Sequence, residues 1–347
     1  METPDAKFNM SFDAVPPRQY LEDLLAGQMR CRSLILAHQL GLFTCLGEQP
    51  MNVAQVGDAF GIKNLVGLAK LFANLEGLHL LRQRRGEFEL TEIARECLLP
   101  ASPGYFGEFV DFFADQFESK PVSMVLDHLR TGGLLRPVAT AINWQHYMAA
   151  MDRMAILSAD RIAGALKMEH DDRLLDLGGG PGCYAIAACR MYAHLQATIL
   201  DLPDALQFAR QNVVAASLDQ RITLCAGSVT DFEYGGPYDV IFLSHTIHLF
   251  DEPTVQKIFA VCHSALTTRG RLVVRDLFTD STRTEPLLGS MIALHMWNEG
   301  DAYSIPQATE LLCKAGFQPP SHVQFRDKGD PQILGSLLIA DKSPNDA

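Results

Sequence analysis

The residues with the clearest chemical spacing are Asp176, Gly178, Gly180 and Gly182, within Leu174-Leu175-Asp176-Leu177-Gly178-Gly179-Gly180-Pro181-Gly182. The apolar start reads as a buried strand, the glycines as a tight turn, and Ala185-Ile186-Ala187-Ala188 as the helix that follows. Glycine lets backbone amides approach a ligand where a Cβ would collide. The N-terminus of a helix after such a turn attracts a negatively charged group. Further on, the strand-like Ala197-Thr198-Ile199-Leu200 ends in Asp201, placed to bind a ribose hydroxyl.

Two cofactor classes fit a glycine turn of this kind. From Gly180 the chain also reads Gly-x-Gly-x-x-Ala, an acceptable dinucleotide fingerprint. Asp176 separates the two. A carboxylate at the mouth of the turn repels the pyrophosphate of NAD, whereas it pairs with the ammonium of an amino-acid-like cofactor. S-adenosylmethionine offers that ammonium and also a ribose for Asp201, so it is the expected cofactor.

These residues need a frame, and the pattern along the chain supplies one. From residue 171 onward strands and helices alternate, with strands expected at 173–177, 198–202, 222–225, 239–243, 271–275 and 336–340. Helical stretches fall between them at 184–192, 203–217, 253–266 and 304–315. Such alternation implies an α/β domain with a parallel, doubly wound, Rossmann-like sheet and ligands at the carboxyl ends of its strands.

Before it the texture is mainly helical. Residues 20–46 carry apolar positions at helical spacing, Asn64 is a plausible N-cap for the helix after Gly61, and strands at 78–81 and 87–90 flank Arg84-Arg85-Gly86. Helix, turn, helix and hairpin make a winged-helix pattern, read as a dimerisation module because its second helix offers few cations for phosphate contacts. Residues 144–168 read as one helix bridging the domains, with Met148, Met151 and Met154 on one face. The expected divisions are a loose segment 1–19, the winged helix 20–100, a helical linker 101–168 that contributes to a substrate pocket, and a cofactor-binding domain 169–347.

The totals exclude other classes. With 347 residues the chain exceeds the usual single domain, and a net charge of −12 argues against bulk nucleic-acid binding. No apolar run approaches a membrane span, and eight cysteines without any Cys-x-x-Cys read as reduced core residues. The expectation is a cytoplasmic protein with neither nucleic-acid nor membrane partner. A winged-helix regulator that senses the cofactor is the alternative of a different class.

The carboxy-terminal half resembles the class I S-adenosylmethionine-dependent methyltransferases. The chain from residue 20 to 342 resembles the small-molecule O-methyltransferases typified by the caffeate and acetylserotonin enzymes. Three motifs carry the resemblance: Asp176 to Gly182, Asp201-Leu202-Pro203, and Ile247-His248-Leu249-Phe250-Asp251-Glu252. It implies a homodimer formed through the N-terminal winged helix, and methyl transfer to a small-molecule hydroxyl. It also implies that adenosine lies against Asp201 and Leu202 with Gly227, Ser228 and Val229 along the adenine. The methionine end would rest on Asp176, Gly178 and Gly180, with Ser244 nearby, where plant members tend to carry Lys. His248 matches the family's general base and Asp276 the acid that orients it. Candidate acceptor walls are Phe113, Tyr147, Met151, His245, Met291, His295 and Trp297.

The chain also departs from the family. Ser228 replaces the usual Asp, Leu249 replaces the plant Asp after the histidine, and Gly300-Asp301-Ala302-Tyr303-Ser304 lacks the Glu and Arg of a second family motif. S- or C-methylation of a small carboxylate, such as a methylthio-hydroxy acid or a 2-oxo acid, is the runner-up, since a thioether acceptor has no proton to lose. A metal held between His248 and His295 is conceivable, but no carboxylate ligand is evident and none is expected.

Overall fold

The computed structural model describes residues 16–132, 143–168, 173–282, 285–296, 300–324 and 336–343. The chain divides into two compact units, Met1–Ala114 and Asp115–Ala347. The first begins with α1 (Pro17–Gln39), α2 (Leu42–Glu48), α3 (Val53–Phe60) and α4 (Leu65–Gly77). A hairpin of β1 (Leu81–Arg84) and β2 (Glu87–Leu90) follows, then α5 (Glu92–Leu98) and α6 (Gly107–Ser119). The division between units falls inside α6.

Local chemistry accounts for these ends. Asn52 accepts from the Gln55 amide while the Gln55 side chain accepts from the Asn52 amide, so α3 starts on a capping box. Asn64 caps α4 as expected, accepting from Gly67 N at 2.9 Å. The first hairpin strand lies three residues later than predicted. Leu78 is the C-cap of α4, its amide held by the Asn74 carbonyl, so 78–80 close the helix and do not extend. Arg85 and Gly86 both have positive φ, the backbone that a two-residue hairpin turn requires. Phe43, Leu46, Phe72, Leu75, Leu81 and Leu90 form the core of this unit.

The second unit starts with the end of α6, then α7 (Val122–Thr131), α8 (Trp144–Ile156) and α9 (Ala159–Leu166). The single bridging helix expected over 144–168 is therefore two. The Ser158 amide turns back to Ala155 and its carbonyl starts the next helix by accepting from Ile162. Then come β3 (Arg173–Leu177), α10 (Cys183–Met191), β4 (Gln196–Asp201), α11 (Pro203–Ala215), β5 (Ile222–Ala226), β6 (Tyr238–Ser244) and α12 (Glu252–Ala265). The last elements are β7 (Leu266–Asp276), α13 (Leu287–Met296), α14 (Ile305–Lys314), β8 (Ser321–Val323) and β9 (Ser336–Asp341).

The seven strands lie in the order β5-β4-β3-β6-β7-β9-β8. The five from β5 to β7 are parallel, but β9 runs antiparallel to β7 and β8 antiparallel to β9. The edge thus departs from the all-parallel expectation, and β8 and α13 were not foreseen. Both faces of the sheet are covered. Ile162, Ile186, Ala209 and Phe242 share one cluster, while Leu175, Ile241, Phe259 and Leu311 share the other. This is the doubly wound arrangement, and its strand order reverses between β3 and β6, where a crevice opens at the strand ends.

Candidate active site

The cofactor end is built at the tip of β3. Gly178, Gly180 and Gly182 have φ of +73°, +52° and +82°, a region costly for residues with a Cβ. Space adds to the demand. A Cβ on Gly178 would lie 2.8 Å from Thr246 Oγ1, and one on Gly179 2.7 Å from Asp176 Cγ. The turn folds over Asp201: Gly180 N–H donates to its Oδ2 and Leu202 N–H to its Oδ1, both at 2.7 Å. Each oxygen keeps a second lone pair for a ribose hydroxyl. Burial raises the Asp201 carboxyl above its ordinary range, against the pull of the two amides.

Asp176 is fully buried, and neither side-chain oxygen has a hydrogen-bond partner of good geometry among the described residues. Burial lifts its carboxyl to about 7, the Ala185 amide drawing it down and Asp201 adding to the rise. A buried acid with so little hydrogen-bond support is expensive unless a ligand completes it. The ammonium of S-adenosylmethionine is such a complement, so the residues present fit the expected cofactor.

Beside Asp176 lies a cavity of about 190 Å³. The expected cofactor residues Asp176, Gly178, Gly180, Asp201, Leu202, Ser228, Val229 and Ser244 all line it, whereas Gly227 does not. The Ser228 hydroxyl is engaged in a cap, accepting from Thr230 N at 3.1 Å while Ser228 N–H donates to Asp231 Oδ2 at 2.6 Å. Its expected hydrogen bond to adenine therefore competes with this local cap. Helix α8 supplies Trp144, Tyr147, Met148, Met151 and Met154 to the same cavity. Burial, with Asp201 adding, pushes the Tyr147 hydroxyl up to about 12, so it acts as a donor at neutral pH.

The histidine end forms after β6. His248 sits on a single 3-10 turn, Ile247–Leu249, and is 8 % exposed. Its Nδ1 lies 2.6 Å from Asp276 Oδ1 at the end of β7, and Leu277 N–H donates to the same oxygen at 2.8 Å. Burial would raise the Asp276 carboxyl, but the charge and hydrogen bond of His248, His245 and the Leu277 amide together hold it below the ordinary range. The ionised acid makes Nδ1 the donor, which leaves the lone pair on Nε2. His248 itself does not line the cavity; its neighbours His245, Thr246, Leu249 and Phe250 do. Gly300 backs onto this turn, where any Cβ would collide with the His248 carbonyl oxygen. Tyr303 braces it further through a 2.7 Å hydrogen bond to the Phe250 carbonyl.

His245 has a left-handed backbone, with φ of 51°, and its buried Nε2 has no partner among the described residues. Burial and the nearby Arg275 charge push its imidazole down to about 3, so it is neutral at working pH. His245, His248 and Asp276 bring ligand atoms within 4.8 Å of one another, so a carboxylate does stand beside the histidines. His295, the second imidazole of the conceivable pair, is not in that group.

Of the other expected walls, Tyr147, Met151 and His245 line the cavity. Phe113 belongs to the first unit, stacked edge-on against Phe109 at 4.9 Å. Met291 is 50 % exposed and His295 is exposed, and neither lines the cavity. Trp297 lies outside the described residues. Sequence reasoning missed Tyr184, Thr246 and Phe250 as walls, because an apolar or hydroxyl residue next to a motif carries no signal of its own.

The fold has counterparts among known proteins. A family model for an O-methyltransferase domain matches residues 139–318, just over half of the chain. Among curated proteins, a 3-hydroxy-5-methyl-1-naphthoate 3-O-methyltransferase of Streptomyces sahachiroi is 27 % identical over 329 residues, covering 91 % of this chain and 94 % of that protein. The tetracenomycin polyketide synthesis 8-O-methyl transferase of Streptomyces glaucescens is 29 % identical over 302 residues, covering 82 % and 87 %. Among solved structures, human N-acetylserotonin methyltransferase in complex with SAM superposes with a TM-score of 0.81 at 20 % identity, covering 96 % of this chain and 100 % of that one. The range matched by the family model spans the glycine turn, Asp201 and the histidine turn, and the chain belongs to the O-methyltransferase family and is an S-adenosylmethionine-dependent methyltransferase.

Proposed function

We propose that this enzyme methylates a hydroxyl on an aromatic or polyketide-like small molecule, with His248 as general base and Asp276 as its orienting partner. The 2.6 Å His248–Asp276 contact is the observation that carries the reading. Bound S-adenosylmethionine supplies a methyl group on a sulfonium, ready for in-line displacement. The protein has to hold the acceptor oxygen in line and take its proton. A phenol has a pKa of about 10, so proton removal by a neutral imidazole assists the attack. Asp276 fixes the Nδ1–H tautomer and stabilises the imidazolium that forms.

Asp176, Gly178, Gly180, Asp201 and Leu202 would hold the cofactor, with Ser228, Val229 and Ser244 along its length. Tyr147, Met151 and His245 are the acceptor walls that the cavity supports. Both bacterial relatives act, by name, on hydroxyls of a naphthoate or a polyketide, which favours the same acceptor class here.

A homodimer through the first unit completes the reading. Leu21, Leu24, Leu25 and Met29 form a stripe at helical spacing along α1, and Leu25 is 71 % exposed. All eight cysteines are free, which suits the cytoplasm, and no described helix is long and apolar enough to cross a membrane. The test is incubation with labelled S-adenosylmethionine and a panel of hydroxylated naphthoates and polyketides, with mass identification of the product. Label transferred to oxygen is expected. Transfer only to carbon or sulfur would overturn the assignment.

A further inference from the structure

Helix α8 carries the acceptor walls Tyr147 and Met151, and something has to set it against the cofactor turn. Trp144, Tyr147, Met148, Met151, Met154 and Ala155 fall at helical spacing and line the cavity. Asp152 stands just off that stripe, half-buried, and is not a wall itself. Its Oδ1 accepts from the Cys183 thiol at 2.9 Å and from Asn212 Nδ2 at 3.0 Å. The same Asn212 nitrogen gives its second hydrogen to the Pro181 carbonyl at 3.0 Å. Both acceptors are oxygens, so only the amide NH2 of Asn212 serves them.

Pro181 and Cys183 flank Gly182, the last of the left-handed glycines, and both line the cavity. Cys183 is the first residue of α10, and Asn212 belongs to α11, the helix that follows Asp201 and Leu202. One carboxylate oxygen thus ties α8 to the glycine turn, to α10 and to α11, all within the second unit. Burial, with the charge and hydrogen bond of Asp152 next, holds the Cys183 thiol far above its ordinary range, so it stays a donor at working pH. Hydrogen bonds onto a carboxylate are stronger than neutral ones, which suits a link meant to hold a helix in place.

We propose that Asp152 is a positioning residue for methyl transfer: it latches the acceptor-wall helix to the cofactor turn and so sets the alignment of the acceptor oxygen with the methyl group. The assignment rests on the reading of α8 as an acceptor wall. Asp152 lies off the cavity and acts through Met151, its neighbour in the chain, and through Tyr147. In-line displacement depends steeply on alignment, and a misplacement of about 1 Å costs roughly 10²-fold in rate. A link that served stability alone would lower the melting temperature and leave the kinetics of the folded enzyme unchanged.

Three variants of the full chain test this, Asp152→Ala, Asp152→Asn and Asn212→Ala. Each is assayed by steady-state kinetics on the hydroxynaphthoate or polyketide that wild type methylates, and by calorimetry with S-adenosylhomocysteine. Asp152→Ala is expected to lower kcat by about 10- to 100-fold at saturating S-adenosylmethionine, with S-adenosylhomocysteine affinity within about threefold of wild type. Asp152→Asn keeps an oxygen where both donors meet, so kcat is expected to return to within about threefold of wild type. Asn212→Ala cuts the link to the Pro181 carbonyl but leaves the thiol, and a smaller loss in kcat is expected; it carries the test if Asp152→Ala does not fold. Unchanged kcat in the folded alanine variants, S-adenosylhomocysteine affinity falling as far as kcat, or no rescue by Asn overturns the proposal. Wild type methylating no member of the hydroxylated panel would instead remove the acceptor reading beneath it.

Discussion

The two ends of the cavity are made in different ways. The cofactor end is a matter of backbone: three left-handed glycines and two amides on Asp201 set it within the 26 residues from Asp176 to Asp201. The histidine end is a matter of side chains converging from afar. His248 comes from the turn after β6 and Asp276 from the end of β7, 28 residues apart, and Gly300 and Tyr303 buttress the histidine turn from beyond α13. A backbone site tolerates change beside it as long as its glycines remain. A converged site depends on every element that positions it, so damage at a distance reaches the chemistry.

Several substitutions sharpen this contrast. His248→Ala is expected to reduce turnover by roughly 10²- to 10⁴-fold, the usual worth of a positioned base, read from initial rates at saturating acceptor. A loss below about tenfold would exclude a base of ordinary strength. Gly300→Ala should cost about 1–3 kcal/mol of stability through the clash behind His248, seen as a lower melting temperature, together with slower turnover. Asp176 gives a smaller, graded effect with pH. In the free enzyme its carboxyl is raised to about 7, so below pH 7 it carries a proton that an incoming ammonium must displace. Affinity for S-adenosylhomocysteine should therefore rise about tenfold per pH unit from 5.5 toward 7, then level off, with one proton released on binding; calorimetry in buffers of different ionisation enthalpy counts that proton. At the bottom of the scale, Met291→Ala should leave KM for acceptor within about twofold, because its exposed side chain lies off the cavity.

What could be read in advance follows the same division. The turn from Asp176 to Gly182 and the end of β4 at Asp201 were legible because glycine at a strand end has one structural meaning, and because an acid on either side narrows the ligand. The alternation of strands and helices told of the doubly wound sheet, though not of the antiparallel β9. The histidine end was legible only through resemblance: nothing local to His248 announces Asp276, and Met291 and His295 were candidate walls with no packing to place them.

The comparison between the two ends is tested most directly by measuring S-adenosylhomocysteine affinity calorimetrically in Asp176→Asn and His248→Ala side by side. The account predicts a loss of about tenfold or more for Asp176→Asn, which removes the charge facing the ammonium, and an affinity within about twofold of wild type for His248→Ala. Equal losses in both variants, or a loss in His248→Ala alone, would contradict it.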